Sequence, residues 1–177
     1  MNFSKQVDRF ITSQAIMLAL QGIPGIYFHS LFGSRGWKEG IKETGTTRSI
    51  NRERLNYQSL VCELADPSSL RSRVFSDYQA LLKQRITHPA FHPNAPQKIL
   101  FLEDHLFLVK RTSIDSKQNI LCLHNVSADN IQISLNHAQL DGSPANPKIL
   151  FGETSLACSE TDISLEIPAY STIWLDL

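Results

Sequence analysis

Between Val7 and Leu20 the chain is too apolar to be a surface helix, and the residues just beyond it forbid the helix from continuing. Val7, Phe10, Ile11 and Ala15 recur at spacings of three and four, and Ala15 to Leu20 is an unbroken apolar run. A helix of this kind must be covered on several sides, so the fold has to place partners around it. Gly22 stops it and Pro24 prevents its resumption. Ile26-Tyr27-Phe28 then reads as a short strand buried on both faces, as in a parallel sheet. It breaks at His29-Ser30 into a polar stretch, residues 33–54, punctuated by Gly33, Gly36, Gly40 and Gly45 with Trp37 embedded. A loop of that length in a compact domain is usually functional or disordered.

The second half of the chain is built differently. Ser68 to Ile86 has helical spacing (Leu70, Val74, Phe75, Tyr78, Leu81, Leu82), with Ser68 or Ser69 as N-cap. His88-Pro89 and the prolines through Pro96 end it. Beyond Pro96 the pattern predicts strands at residues 99–103, 106–111, 120–125, 131–135 and 171–177. Weaker candidates lie at residues 149–151 and 163–167. The separators are turn-forming, among them Asp115 to Asn119, Ser127 to Asn130 and Asp141-Gly142-Ser143-Pro144. This pattern implies a small antiparallel sheet or sandwich. Charge divides at the same place: residues 1–95 carry twelve Lys/Arg against seven Asp/Glu, and residues 96–177 carry five against ten.

Composition removes several classes of function. The basic half interleaves its Arg and Lys with Glu rather than forming a dense patch, so a nucleic-acid partner is not expected. No apolar run approaches a membrane span and the N-terminus lacks a signal-peptide core, so a soluble, cytoplasmic chain is expected. Cys62, Cys122 and Cys158 are widely spaced, without a CxxC pair or a Cys/His metal spacing. They are expected to be buried free thiols, with no metal and no cofactor. His88 and His92 flank prolines and read as a domain junction rather than a metal pair.

The order of elements resembles the C-terminal part of the α-amylase superfamily, glycoside hydrolase family 13. GIPGIYFHSLFGSR (residues 22–35) followed by ETGTTRSINRERL (residues 43–55) is similar to its sucrose phosphorylase branch. THPAF at Thr87 to Phe91 resembles the hand-over from the last barrel helix to the β domain called domain C. Ile167-Pro168-Ala169-Tyr170-Ser171 resembles the entry to the final strand. The resemblance implies an α+β chain: the last helix-strand-helix of a (β/α)8 barrel in residues 1–95, then an antiparallel β-sandwich in residues 96–177. It places His29, Ser30 and the loop through Arg54 at the C-terminal ends of barrel strands, where such barrels carry their active sites.

Retaining glycosyl transfer needs two carboxyl groups about 5 Å apart. In the family these follow earlier barrel strands whose motifs this sequence lacks, and Glu39, Glu43 and Glu53 sit in the loop. No catalytic residue is therefore assigned, and the chain is expected to be inactive alone. The resemblance makes Arg52 the arginine that contacts glucosyl hydroxyls in the donor subsite, a task suited to a planar, always-charged donor fork. His29 either lines the pocket or packs and satisfies a backbone partner. Trp37 either stacks on an acceptor sugar or anchors the loop. The partners implied are a sugar and phosphate, with the missing barrel portion as a separate chain. Other members of the branch, such as sucrose 6-phosphate or glucosylglycerate phosphorylases, and a non-catalytic β module docking on a partner remain as alternatives.

Overall fold

The computed structural model describes residues 3–142 and 147–177, so Ser143 and Pro144 of the turn expected at residues 141–144 lie outside the described residues. The chain mixes helices with antiparallel sheets, the fold class expected from its sequence. It divides into two compact units, one of Met1–Pro24 with Ala80–Leu177 and one of Gly25–Gln79.

The first unit is built on eight strands: β1 (Gln97–Leu100), β2 (Leu106–Thr112), β3 (Asn119–Asn125), β4 (Ile131–Asn136), β5 (Lys148–Phe151), β6 (Leu156–Cys158), β7 (Asp162–Ile167) and β8 (Thr172–Asp176). They form a five-stranded sheet, β1-β2-β3-β8-β5, and a three-stranded sheet, β4-β7-β6. Every pairing is antiparallel. Leu108, Leu121, Leu123, Ile173 and Leu175 from the large sheet meet Leu135, Ile163, Leu165 and Ile167 from the small one in a single core. The other face of the large sheet carries Val109, Arg111, Ile120, Cys122, His124 and Trp174, all fully buried. Helix α1 (Phe3–Ala19) packs on β2, β3 and β8. Strands covered on both sides lose hydrophobic alternation, and β3 is buried almost continuously, while β4 and β7 alternate because only one of their faces is covered. Strand β1 begins two residues before the expected position. As an edge strand it needs only main-chain pairing on one side, so polar Gln97 and Lys98 serve, and Phe101 beyond it is exposed. Strand β6 is too short to show a period.

The C-terminus of α1 explains why two arginines are buried. Its last turn has no basic residue of its own, and its final carbonyls lack partners within the helix. Arg111 of β2 donates to Ala19 O (2.9 Å), His92 O (3.0 Å) and Ala95 O (3.2 Å). Arg85 donates to Leu18 O and, at 2.6 Å, to Gly22 O. Both guanidinium groups lie against the Phe91 ring, 5.8 and 5.9 Å from its centroid. Burial lowers the pKa of each arginine, and for Arg111 the neighbouring Arg85 charge lowers it further. The negative end of the helix dipole and the carbonyl oxygens offset that cost. Burial also pushes the Cys122 thiol far up. Cys62 and Cys158 depart from the expected burial: both are exposed.

The turn before β8 is pinned from two directions. Asn125, fully buried, donates from Nδ2 to Asp129 O, Ile167 O and Pro168 O, and its Oδ1 accepts from the Ser127 amide at 2.8 Å. Tyr170 sits at φ 51°, a left-handed conformation costing about 1 kcal/mol for a side chain of this size. Its amide donates to Ser127 O, its carbonyl accepts from Thr12 Oγ1 at 2.8 Å, and Arg9 lies over its ring at 5.1 Å.

The second unit holds α2 (Phe28–Leu31), α3 (Lys38–Thr44), a 3-10 turn (Thr47–Asn51), α4 (Tyr57–Ala65) and the first part of α5 (Leu70–Thr87). Residues 26–28, expected as a strand buried on both faces, form none. Tyr27 is extended (φ −78°, ψ 135°) but belongs to no sheet, its carbonyl accepting from the Ser30 amide, and Tyr27 and Phe28 are 50% and 54% exposed. A strand buried on both faces needs a ladder partner on each side, and no described strand lies beside this one. The stretch 33–54 is not irregular, because α3 and the 3-10 turn pack on each other. Helix α4, absent from the sequence expectations, starts at Asn56, whose Oδ1 accepts from the Ser59 amide at 3.0 Å. Among the described residues no helix is long and apolar enough to cross a membrane.

Candidate functional site

The residues singled out from the sequence all fall in the Gly25–Gln79 unit, but they do not converge. His29 lies in α2, half-buried between the rings of Tyr27 and Phe28, with its Nδ1 3.2 Å from Ser34 Oγ. Arg52 follows the 3-10 turn, its backbone amide donating a hydrogen bond to Ser49 O (3.0 Å), and it is exposed. Trp37 caps the start of α3. Its amide donates to Ile50 O at 2.7 Å, and its indole lies so close over Gly40 that a Cβ there would occupy the ring. Only glycine at position 40 lets this indole settle flat on its own helix.

What does converge is a cleft of about 510 Å³ whose wall includes Trp37 but neither His29 nor Arg52. Its floor is Arg71, at the start of α5, whose side chain is 17% exposed. Arg71 Nε pairs with Glu63 of α4, Nη2 stands 3.9 Å from Glu53, and Nη1 donates to Ser34 Oγ at 2.8 Å. The Ser34 hydroxyl therefore joins His29 to Arg71. The Glu53 and Glu63 side chains are 37% and 47% exposed, so each presents carboxylate to the cleft while holding the guanidinium. Gly33 (φ 57°) forms part of the wall, and a methyl group there would collide with Leu70 and Val74. Phe32, stacked on Phe75 at 5.3 Å, anchors the same turn to α5.

Sequence reasoning missed Arg71, Glu63 and Ser34. Arg71 sits in a helix legible only as an apolar stripe, and Glu63 sits in a helix not foreseen at all. Spacing gives no sign that the three meet.

The chain is similar to three curated relatives. A glucosylglycerate phosphorylase of Spirochaeta thermophila is 47% identical over 119 residues, covering 67% of this chain and 20% of the relative. One from Allomeiothermus silvanus is 42% identical over 122 residues (69% and 21%), and one from Escherichia coli 35% over 125 (70% and 22%). The chain thus spans about a fifth of the length of the curated relatives it matches. Among solved structures, an alpha-amylase from H. orenii superposes with a TM-score of 0.69 at 19% identity, over 96% of this chain and 35% of that one. A debranching enzyme from Nostoc punctiforme gives 0.70 at 19% identity, over 97% and 31%. No family model matches the chain.

Proposed function

We propose, on the premise that this chain belongs to the sucrose phosphorylase-like branch of glycoside hydrolase family 13, that it supplies the C-terminal part of a retaining glycoside phosphorylase. In this reading residues 1–95 complete a (β/α)8 barrel and residues 96–177 form domain C. The observation that carries it is the 47% identity to a glucosylglycerate phosphorylase over two thirds of the chain. The relatives favour glucosylglycerate over sucrose as the glucosyl donor. Phosphate then takes the place of water in releasing the covalent glucosyl intermediate, giving glucose 1-phosphate.

The roles proposed for this chain's residues are those of positioning and binding. Arg52, exposed beside Glu53, is free to swing its donor fork toward sugar hydroxyls and to share them with a carboxylate. His29, oriented through Ser34, lines the approach, and Trp37 offers a ring face to an acceptor. The nucleophile and the acid/base belong to the remainder of the barrel, present as a companion chain or as the rest of a longer protein. The reading calls for no metal and no organic cofactor, for sugar and phosphate as partners rather than nucleic acid or membrane, and for a cytoplasmic setting.

The test is complementation. The chain is assayed alone and mixed with the Spirochaeta relative lacking its matched segment, using glucosylglycerate or sucrose with phosphate and reading glucose 1-phosphate. Turnover is expected only in the mixture and chiefly with glucosylglycerate. Turnover by the chain alone would overturn the assignment of the carboxylates to the remaining barrel, and preference for sucrose would overturn the donor. A stable complex of the two pieces without turnover on either sugar would remove the phosphorylase reading.

A further inference from the structure

We infer that Arg71 is a positioning residue for His29: through the Ser34 hydroxyl it fixes the orientation of the imidazole and keeps the proton of the neutral ring on Nε2. The inference rests on the proposed function only for what that outward N–H meets. The order of the hydrogen bonds belongs to the Gly25–Gln79 unit itself.

A guanidinium can only donate, whereas a serine hydroxyl has one proton to give and two lone pairs to receive with. Arg71 Nη1 donates to Ser34 Oγ at 2.8 Å, which turns the hydroxyl proton away from Arg71. His29 Nδ1 lies 3.2 Å from the same oxygen. A chain from Arg71 N–H to Ser34 O–H to Nδ1 satisfies each group in it, and each bond polarises the next. The reverse order would aim Nδ1–H at an oxygen that already receives a cation's proton, and would strand the hydroxyl proton without an acceptor among the described residues. Nδ1 is therefore the acceptor, and Nε2 carries the proton of the neutral ring. Nε2 has no partner among the described residues. It faces outward as a donor to an oxygen atom and not as a base.

Arg71 can impose this order because it is fixed itself. Glu63 holds Nε, Glu53 stands 3.9 Å from Nη2, and the side chain is 17% exposed. On the other side of the imidazole, the Tyr27 ring lies 5.3 Å from that of His29, and the Tyr27 hydroxyl donates to Asn51 O. His29 and the backbone beside Arg52 are thus tied by two routes, one through Tyr27 and Asn51, the other through Ser34, Arg71 and Glu53. A lysine at position 71 would bring a point charge on a flexible stem, unable to meet three segments at fixed spacing.

The test is nuclear magnetic resonance on the full nitrogen-15-labelled chain at about pH 8.5, above the range in which an imidazole normally titrates. Two-bond proton–nitrogen correlations report which ring nitrogen is protonated, and His29→Gln assigns the signals. The wild type is expected to show a single tautomer, with Nδ1 unprotonated and shifted as a hydrogen-bond acceptor. Arg71→Met and Ser34→Ala are each expected to move the Nδ1 resonance toward that of a free acceptor and to give mixed tautomers. Ser34→Thr keeps the hydroxyl and should restore the wild-type pattern. Unchanged backbone amide resonances in the β unit show that each variant is folded. A protonated Nδ1 in the wild type, or an Nδ1 resonance that both Arg71→Met and Ser34→Ala leave in place, would overturn the inference. No substrate or turnover enters the measurement, so its failure leaves the phosphorylase reading standing, and failed complementation leaves the tautomer untouched.

Discussion

Arg111 and Arg71 are both held by several oxygen partners, and the contrast between them separates a buried structural arginine from a cleft-lining one in this chain. Arg111 is fully buried and bonds only main-chain carbonyls, which it relieves at the end of α1. Arg71 keeps 17% of its side chain exposed at the floor of a cleft and bonds carboxylates that themselves face solvent. A guanidinium buried on its carbonyls is out of any ligand's reach. One steadied by half-exposed carboxylates presents an edge already in place. The same difference runs through the two units: in the β unit the buried Arg111 and Asn125 are spent on main-chain groups, and in the Gly25–Gln79 unit the carboxylates around Arg71 stay at a surface.

The contrast is sharpened most by acid. His124 is fully buried in the β unit, its Nδ1 3.1 Å from Thr172 Oγ1, and burial depresses its pKa to about 3. In the unfolded chain an imidazole titrates near 6.5. Between those values the unfolded state binds a proton that the folded state refuses, so stability is full above about pH 6.5 and lost as pH falls toward 3. The loss approaches ~1.4 kcal/mol per pH unit from this group. Unfolding free energies measured across pH 7 to 4 should flatten in His124→Leu by up to one proton. An unchanged slope would mean that the site is hydrated.

The next effect tests the structural arginine. Arg111→Leu removes the donor to three carbonyls and should cost about 3 kcal/mol in denaturant unfolding followed by Trp174 emission. A loss under about 1 kcal/mol would show that water or Arg85 takes over the end of α1. The smallest effect on stability belongs to Arg71→Met, expected to change unfolding by less than about 1 kcal/mol because its ion pairs are partly solvated. If Arg71→Met destabilised the chain as much as Arg111→Leu, the contrast between a buried structural arginine and a cleft-lining one would fail.

Much of the β unit was legible because its strands are short apolar runs bounded by turn residues. β2, β3, β4, β7 and β8 fall within a residue or two of the expected ranges. Strand β1 shifted because an edge strand needs no hydrophobic signature, and β6 escaped for its brevity. The segment 26–28 has the composition of a buried strand, but composition cannot provide the neighbouring strands that would pair with it. At the site the outcome was mixed. Trp37 was picked out as an isolated aromatic among polar residues and does form a wall of the cleft. Arg52 and His29 lie outside that wall, and Arg71 and Glu63 carried no local signal.

The sequence by itself determined where the chain is apolar, where glycine and proline interrupt it, and which family its ordered motifs resemble, because those are properties of adjacent residues. Only the tertiary structure decided which polar groups are consumed and which remain available. Arg85 and Arg111 are drawn inward by the unsatisfied end of a helix far from them in sequence. Arg71, Glu63 and Ser34 meet because α4, α5 and the turn at Gly33 pack together. Hydrogen-bond satisfaction is settled in space, between residues whose separation along the chain leaves no periodic trace.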